Sequence, residues 1–293
     1  MSATTAQPAA EVRPPRRAGL LRRLLRDPGA AVALVFAVLI VLAAVFAPLL
    51  APTDPYDNDL SLAMQPPGSP GLPLGADSQG RDMITRLLYG LRVSLLMGVA
   101  AVAFGGSIGA LLGFLAAFYQ RWLDGPIMRL MDMMLSFPAI LVGLAIAAIF
   151  GPGIFSVVLA LSIATVPLMA RIARSSALVV MRLDYIEAAR ATGMTDFRLI
   201  WRHLAPNCLS AIFVFGTLRF GQVILLGSAL SFLGLGAQPP TPELGAMASE
   251  GRNFLFFAPH IAVIPCVVIF AIVLAFNVLG DALRDALDPR LRV

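Results

Sequence analysis

The 293 residues are 58% hydrophobic and only 13% charged, with a mean hydropathy of +0.84. Soluble domains carry about 25% charged residues, so this composition excludes a soluble globular protein and indicates an integral membrane chain. The net charge of +5 is spread along the chain, which argues against nucleic acid as a partner, and all 22 basic residues are arginine, which excludes a P-loop because its phosphate contact is a lysine.

Residues 1–29 are rich in alanine, proline and arginine and read as a cytoplasmic tail without a packed core. Twin arginines at Arg16-Arg17 and Arg22-Arg23 raise an export signal as the alternative. The apolar run that follows, Ala30 to Ala47 and on to about Ala51, is too long for a signal core and has no small-x-small cleavage site. Residues 30–51 are expected to form a first transmembrane helix.

Residues 52–92 are polar and broken by prolines and glycines between Pro66 and Gly75. They read as an extracytoplasmic segment whose charges Asp77, Arg81 and Asp82 stand at the mouth of a pore, or as a solvated loop held by local ion pairs. Val93 to Gln120 is charge-free and predicts a second span. Met133 to Ala170 is charge-free over 38 residues, which predicts a third and a fourth span separated by a tight turn at Gly151-Pro152-Gly153. Arg129 and Asp132, three apart, are expected to pair with each other. Cys208 to Gly236 predicts a fifth span and Asn253 to Gly280 contains a sixth, so residues 93–283 carry five helices and 284–293 form a second tail. Arg219, deep in the fifth span, either faces a pore or partner or snorkels to the interface. Cys208, Cys266, His203, His260 and the methionines of 128–134 read as packing or interfacial residues, and no cofactor or metal is expected. With the amino terminus inside, seventeen arginines fall on the cytoplasmic side and four outside, so both termini are expected in the cytoplasm.

The polar island between the fourth and fifth spans organises the whole. In DYIEAARATGMTDFRLIWRHLAPN, residues 184–207, Asp184 with Glu187 predicts a capped helix that Gly193 stops as a left-handed residue. Thr195 then caps a second helix. Phe197, Ile200, Trp201 and Leu204 make its apolar stripe, with Arg198 and Arg202 off it, and Pro206 ends it. A plain surface-lying helix-turn-helix is the alternative.

Glu187-Ala188-Ala189, Gly193 and Pro206 in this placement resemble the EAA loop of ABC importer permeases. LGADSQGRDMITRLLYGLRVSL (74–95), MRLMDMMLSFPAI (128–140), SFLGLGAQPPTPELGAMASEGR (231–252) and LAFNVLGDALRDALDPR (274–290) resemble the dipeptide, oligopeptide and nickel branch, in its C-type subunit. Ala205 and Glu243-Leu244 depart from the usual pattern. The resemblance implies an all-α polytopic fold of six transmembrane helices, the type I importer (MetI-like) permease fold, in a bacterial inner membrane. It implies a second permease subunit forming a heterodimer, two ABC ATPase subunits, an extracytoplasmic substrate-binding protein, surrounding membrane lipid, and no catalysis by this chain. Glu187, Ala188, Ala189, Gly193, Phe197, Trp201 and Pro206 would couple to the ATPases, Glu187 either meeting a basic groove residue or favouring its own helix end. The solute would be a dipeptide or oligopeptide, with nickel or another small solute as the alternative. A secondary transporter would need broken helices with midplane polar groups in paired halves, and an intramembrane enzyme would need a catalytic constellation within the spans; neither pattern is evident.

Overall fold

A computed structural model describes residues 27–287, and they are almost wholly helical. Helix α1, Pro28–Val45, starts where Asp27 accepts a hydrogen bond from the Gly29 amide, and it is apolar on every side. Helices α2 (Met83–Phe118), α5 (Ile154–Val180), α7 (Asp196–Phe232) and α9 (His260–Leu287) are also long and apolar enough to cross a bilayer. Large apolar side chains such as Leu39, Phe104 and Phe270 point outward from them, as expected where the surrounding solvent is lipid. The crossings alternate, so 119–124, 181–207 and Leu287 share one end of the molecule. That end holds nine arginines among the described residues against four at the other, and it is called the basic end below.

Two expected spans are changed. The second helix begins at Met83, ten residues before Val93, and runs for 36 residues, roughly 54 Å at 1.5 Å per residue. That exceeds a hydrocarbon core of about 30 Å, so the charged first turns stand outside it. The expected third span is broken. Gln120–Ser136 (α3) and Ala139–Phe150 (α4) meet at 87°, and α4 alone has 12 residues, about 18 Å, too short to cross. Pro138 causes the break, because it forces the preceding Phe137 out of helical geometry into an extended one. Only the bent pair taken together reaches the length of a sixth span. The turn between α4 and α5 lies where Gly151-Pro152-Gly153 predicts it, with Gly151 at φ 83°.

The tightest seam joins α2 and α5. Cβ atoms built on Gly105, Gly109 and Gly113 would lie 2.3–2.4 Å from the carbonyl oxygens of Ser162, Val166 and Ala170. The three glycines recur every four residues on one face of α2, so the two backbones meet directly. Such small-residue faces are how helices associate in lipid, where no hydrophobic force drives them together. A second core cluster gathers Phe114, Ala117, Ala173 and Val180 around Ile186, Leu199, Leu204 and Cys208, which anchors the polar island to the basic end.

The seam makes a test. Gly109→Ala forces a methyl against the Val166 carbonyl, and we expect a loss of roughly 1–3 kcal/mol, the usual cost of overpacking. Gly106→Ala, on the adjoining face, meets only the end of Met169 at 3.4 Å and is expected to be neutral or stabilising by up to about 1 kcal/mol through helix propensity. Thermal unfolding of the two variants in detergent checks the ordering, and equal midpoints would refute the seam.

Candidate functional site

At the basic end the polar island folds into α6, Asp184–Ala191, and the start of α7. Gly193 sits between them at φ 78°, its amide bonding to the Arg190 carbonyl and the Met194 amide to that of Ala189. This is the left-handed helix stop read from the sequence. The expected capping box is absent. Leu183 occupies the N-cap position without a side-chain bond, and Asp184 and Glu187 lie inside the first turn, where they face the positive helix end without capping it. Thr195 precedes α7 and also makes no side-chain cap.

The apolar stripe is divided. Ile200 and Leu204 are buried, with Leu199, while Phe197 is 74% and Trp201 50% exposed. The reason is a π-helical turn at Ile200–Leu204, which inserts a residue into the winding and rotates the face. Pro206 does not end this helix. It lies at the first turn of Ala205–Phe232, where its missing N–H is tolerated. Asn207 bonds back to the His203 carbonyl at 2.6 Å and to the Tyr185 hydroxyl at 3.1 Å, lacing α6 to α7. Glu187 and Ala188 are exposed and Ala189 is half-buried, so the free face of this rooted segment carries Glu187, Phe197 and Trp201.

Contacts from α2 and α5 steady the segment. The Tyr119 hydroxyl donates to Asp196 at 3.0 Å, and that bond raises the Tyr119 pKa above its ordinary value because ionisation would forfeit it. The Arg190 guanidinium lies over the Phe118 ring at 5.2 Å. Arg174 grips Asp124 through two bonds of 2.5 and 2.6 Å. Asp132 pairs with Arg171 instead of the expected Arg129, since α5 brings a closer partner than the local turn.

At the opposite end, Asp77, Arg81 and Asp82 are not a solvated loop. Asp77 is 2% exposed and Arg86 1%. Asp77 receives Arg81 Nε at 2.6 Å and lies 3.2 Å from Arg86 Nε, and both guanidinium groups reach Glu250 at 3.3 and 3.4 Å. Two cations and two anions cancel, so the cluster, buried except for the partly exposed Glu250, carries no net charge, and it ties the loop before α2 to α8, Leu244–Gly251. Asp82 caps α2 by accepting from the Thr85 amide at 2.7 Å. The buried Glu243 caps α8 through the Ala246 amide and takes the Ser94 hydroxyl of α2 at 2.8 Å. Sequence reading noted Glu243 only as a departure and did not single out Glu250, although Glu243 followed at the third residue by a helical amide is the spacing of an acidic cap. His260 reaches the Ala76 carbonyl at 3.1 Å, a packing contact of the same loop.

Midway, Arg219 on α7 bonds to Gln222 at 2.8 Å and reaches the Ala164 carbonyl at 3.4 Å, in the turn of α5 that Pro167 disrupts. It therefore faces α5. A large apolar groove of about 930 Å³ lies between α1, α2, α7 and α9, with Leu96, Val99, Phe213 and Phe276 in its walls.

Removing Asp77 leaves two buried guanidinium groups facing each other. Asp77→Ala is expected to destabilise by roughly 3–5 kcal/mol, as when one partner of a buried pair is lost. Asp57→Ala, at an exposed position of the same segment, should leave the unfolding midpoint unchanged. Equal midpoints for the two variants would refute a structural role for the cluster.

Residues 109–293 match the family model described as binding-protein-dependent transport system inner membrane component, and residues 17–67 match the N-terminal TM domain of oligopeptide transport permease C. The glutathione transport system permease protein GsiD of Pectobacterium atrosepticum is 45% identical over 272 residues, covering 92% of this chain and 90% of its own length. GsiD of Escherichia coli is 45% identical over 278 residues, covering 92% and 89%. Among solved structures, the inward-facing MetNI methionine ABC transporter superposes with a TM-score of 0.58 at 20% identity, over 70% of this chain and 98% of that one. An amino acid ABC transporter with histidines gives 0.52 at 20% identity, over 67% and 91%; at such identities the likeness shows the fold alone. Identity of 45% along about nine-tenths of both chains is a stronger bond, and the chain belongs to the binding-protein-dependent inner-membrane permeases of ABC importers, in the dipeptide and oligopeptide branch.

Proposed function

We propose that this chain is one half of the translocation path of an ATP-driven importer for short peptides. The GsiD relatives carry the name of glutathione, itself a tripeptide, which supports a small peptide as solute. In this reading a second permease subunit supplies the other half, an extracytoplasmic binding protein delivers the solute, and two ATPase subunits hydrolyse ATP, so this chain performs no catalysis. Both termini and the 184–207 segment lie in the cytoplasm, supported by the concentration of arginines at that end. Residues 1–26 of the amino-terminal tail lie outside the described residues.

The observation that carries the proposal is the rooted, glycine-stopped pair of helices with an exposed face. Ile186, Leu199 and Leu204 fix it to the spans, while Glu187, Phe197 and Trp201 are left open for an ATPase groove. Ala188 and Ala189 keep the helix slim enough to enter such a groove, and Pro206 lets the segment run on into α7. Closure of the ATPases on ATP pulls this segment, and α7 passes the movement to the spans. The force of coupling is the difference in contact between closed and open ATPases. Arg219, facing α5 from within α7, is a pore or interface group. Asp77, Arg81 and Asp82 stand at the outer mouth to which the binding protein delivers.

Glu187→Arg is expected to reduce co-purification of the ATPase subunits more than Glu187→Gln, because reversal adds repulsion where neutralisation only removes attraction, and the difference between the two should shrink at high salt, which screens that repulsion. Equal recovery of ATPase with both variants would refute docking through Glu187. Gly193→Val should insert in the membrane yet abolish solute-stimulated ATP hydrolysis, because a β-branched residue resists positive φ. Among the described residues no atom beyond the adjoining residues lies within 4 Å of the added Cβ, so backbone strain alone is tested, and Gly193→Asn should retain much of the activity.

A further inference from the structure

A cavity of about 380 Å³ opens at the basic end between the close of α2, the close of α5 and the last turn of α6. Arg121, Arg182 and Arg190 line it, and no carboxylate does. Three like charges around one cavity repel one another unless a counter-charge joins them. Among the described residues none in the cavity lining supplies it. Three neighbouring acids are engaged elsewhere, Asp124 with Arg174, Asp132 with Arg171, and Asp196 with Tyr119, and Glu187, on the same helix as Arg190, lies outside the cavity lining. Among the described residues none of the three arginines enters an ion pair.

Two of the guanidinium groups are instead placed over rings, Arg121 at 5.9 Å from Trp122 and Arg190 at 5.2 Å from Phe118. A guanidinium steadied through its flat face keeps its in-plane N–H donors free, and phosphate oxygens match that fork. Trp122 is 75% exposed beside them, and tryptophan settles at the headgroup level of a bilayer. Phe118 and Met181 add apolar wall next to the charges, which suits the glycerol and first acyl carbons of a lipid better than an acidic protein segment.

We propose that this cavity binds the phosphate headgroup of an anionic phospholipid from the cytoplasmic leaflet. Through Arg190, on the helix that carries Glu187, the headgroup then helps to position the coupling segment. The choice of leaflet rests on the orientation proposed above. A free phosphate ion shares the chemistry, and the test separates the two.

The complete importer is placed in nanodiscs of phosphatidylcholine, alone or mixed with phosphatidylglycerol, and the lipids retained on extraction are counted by native mass spectrometry. The wild type is expected to retain phosphatidylglycerol preferentially. Arg121→Gln, Arg182→Gln and Arg190→Gln should each lower that preference about fivefold, the effect of one basic residue near an anionic surface. Arg129→Gln, outside the cavity, should leave it unchanged. Equal retention by the wild type and each of the three variants overturns the site. Displacement of the lipid by inorganic phosphate overturns the lipid source, and loss of ATPase subunits with unchanged lipid retention assigns the arginines to that interface instead. ATPase co-purification is read on the same preparations, so a wild type that lacks ATPase subunits marks failure of the coupling reading and not of the lipid site.

Discussion

The backbone contact between α2 and α5 governs the rest of the molecule. Lipid offers apolar side chains nothing that a neighbouring helix does not, so helices in a bilayer associate through close packing rather than through escape from water. Gly105, Gly109 and Gly113 remove the side chains that would hold α2 away from α5. Because α2 runs unbroken from Met83 to Phe118, the same contact sets both of its ends. One end carries Arg86 into the ion cluster, and the other brings Phe118 and Tyr119 against the polar island. The ion cluster and the polar island thus stand at opposite tips of one continuous helix.

Charge is handled in opposite ways at these tips. At the tip opposite the basic end, Asp77, Arg81, Arg86 and Glu250 neutralise each other within the chain, and all but the partly exposed Glu250 are buried. A buried cluster of this sort is costly to assemble and costly to break, so it holds the loop and α8 in one arrangement. At the basic end, Arg121, Arg182 and Arg190 meet no carboxylate in their cavity, and Glu187 stays exposed. Balanced charges secure a structure, whereas unbalanced ones await something from outside it. That contrast leaves the basic end, not the opposite one, with unmatched charge open to external contacts.

The polar island is neither a loose loop nor a free helix pair. Its buried residues share a core with α2 and α5, and the π-turn at Ile200–Leu204 carries it into α7 without a break. A push on the exposed face of Phe197 and Trp201 is therefore delivered to a span of 37 residues. The same turn changes which side chains face outward, which is why an exposed aromatic pair appears where a uniform stripe would have been buried.

Much of this was legible in the sequence, for local reasons. A backbone in hydrocarbon must satisfy its hydrogen bonds within its own helix, so each span announces itself as a continuous apolar run. The left-handed stop at Gly193 and the turn at Gly151 follow from backbone freedom at single residues. The break at Phe137-Pro138 was not read, because hydropathy passes over it, although the proline carries its local signal. Only the tertiary structure decided the partners. Arg81 and Arg86 pair with Glu250 across more than 160 residues, and Asp132 chooses Arg171 over Arg129. Local rules rank neighbours three and four residues apart, whereas burial and pairing of charge depend on which distant segments the packed helices bring within reach.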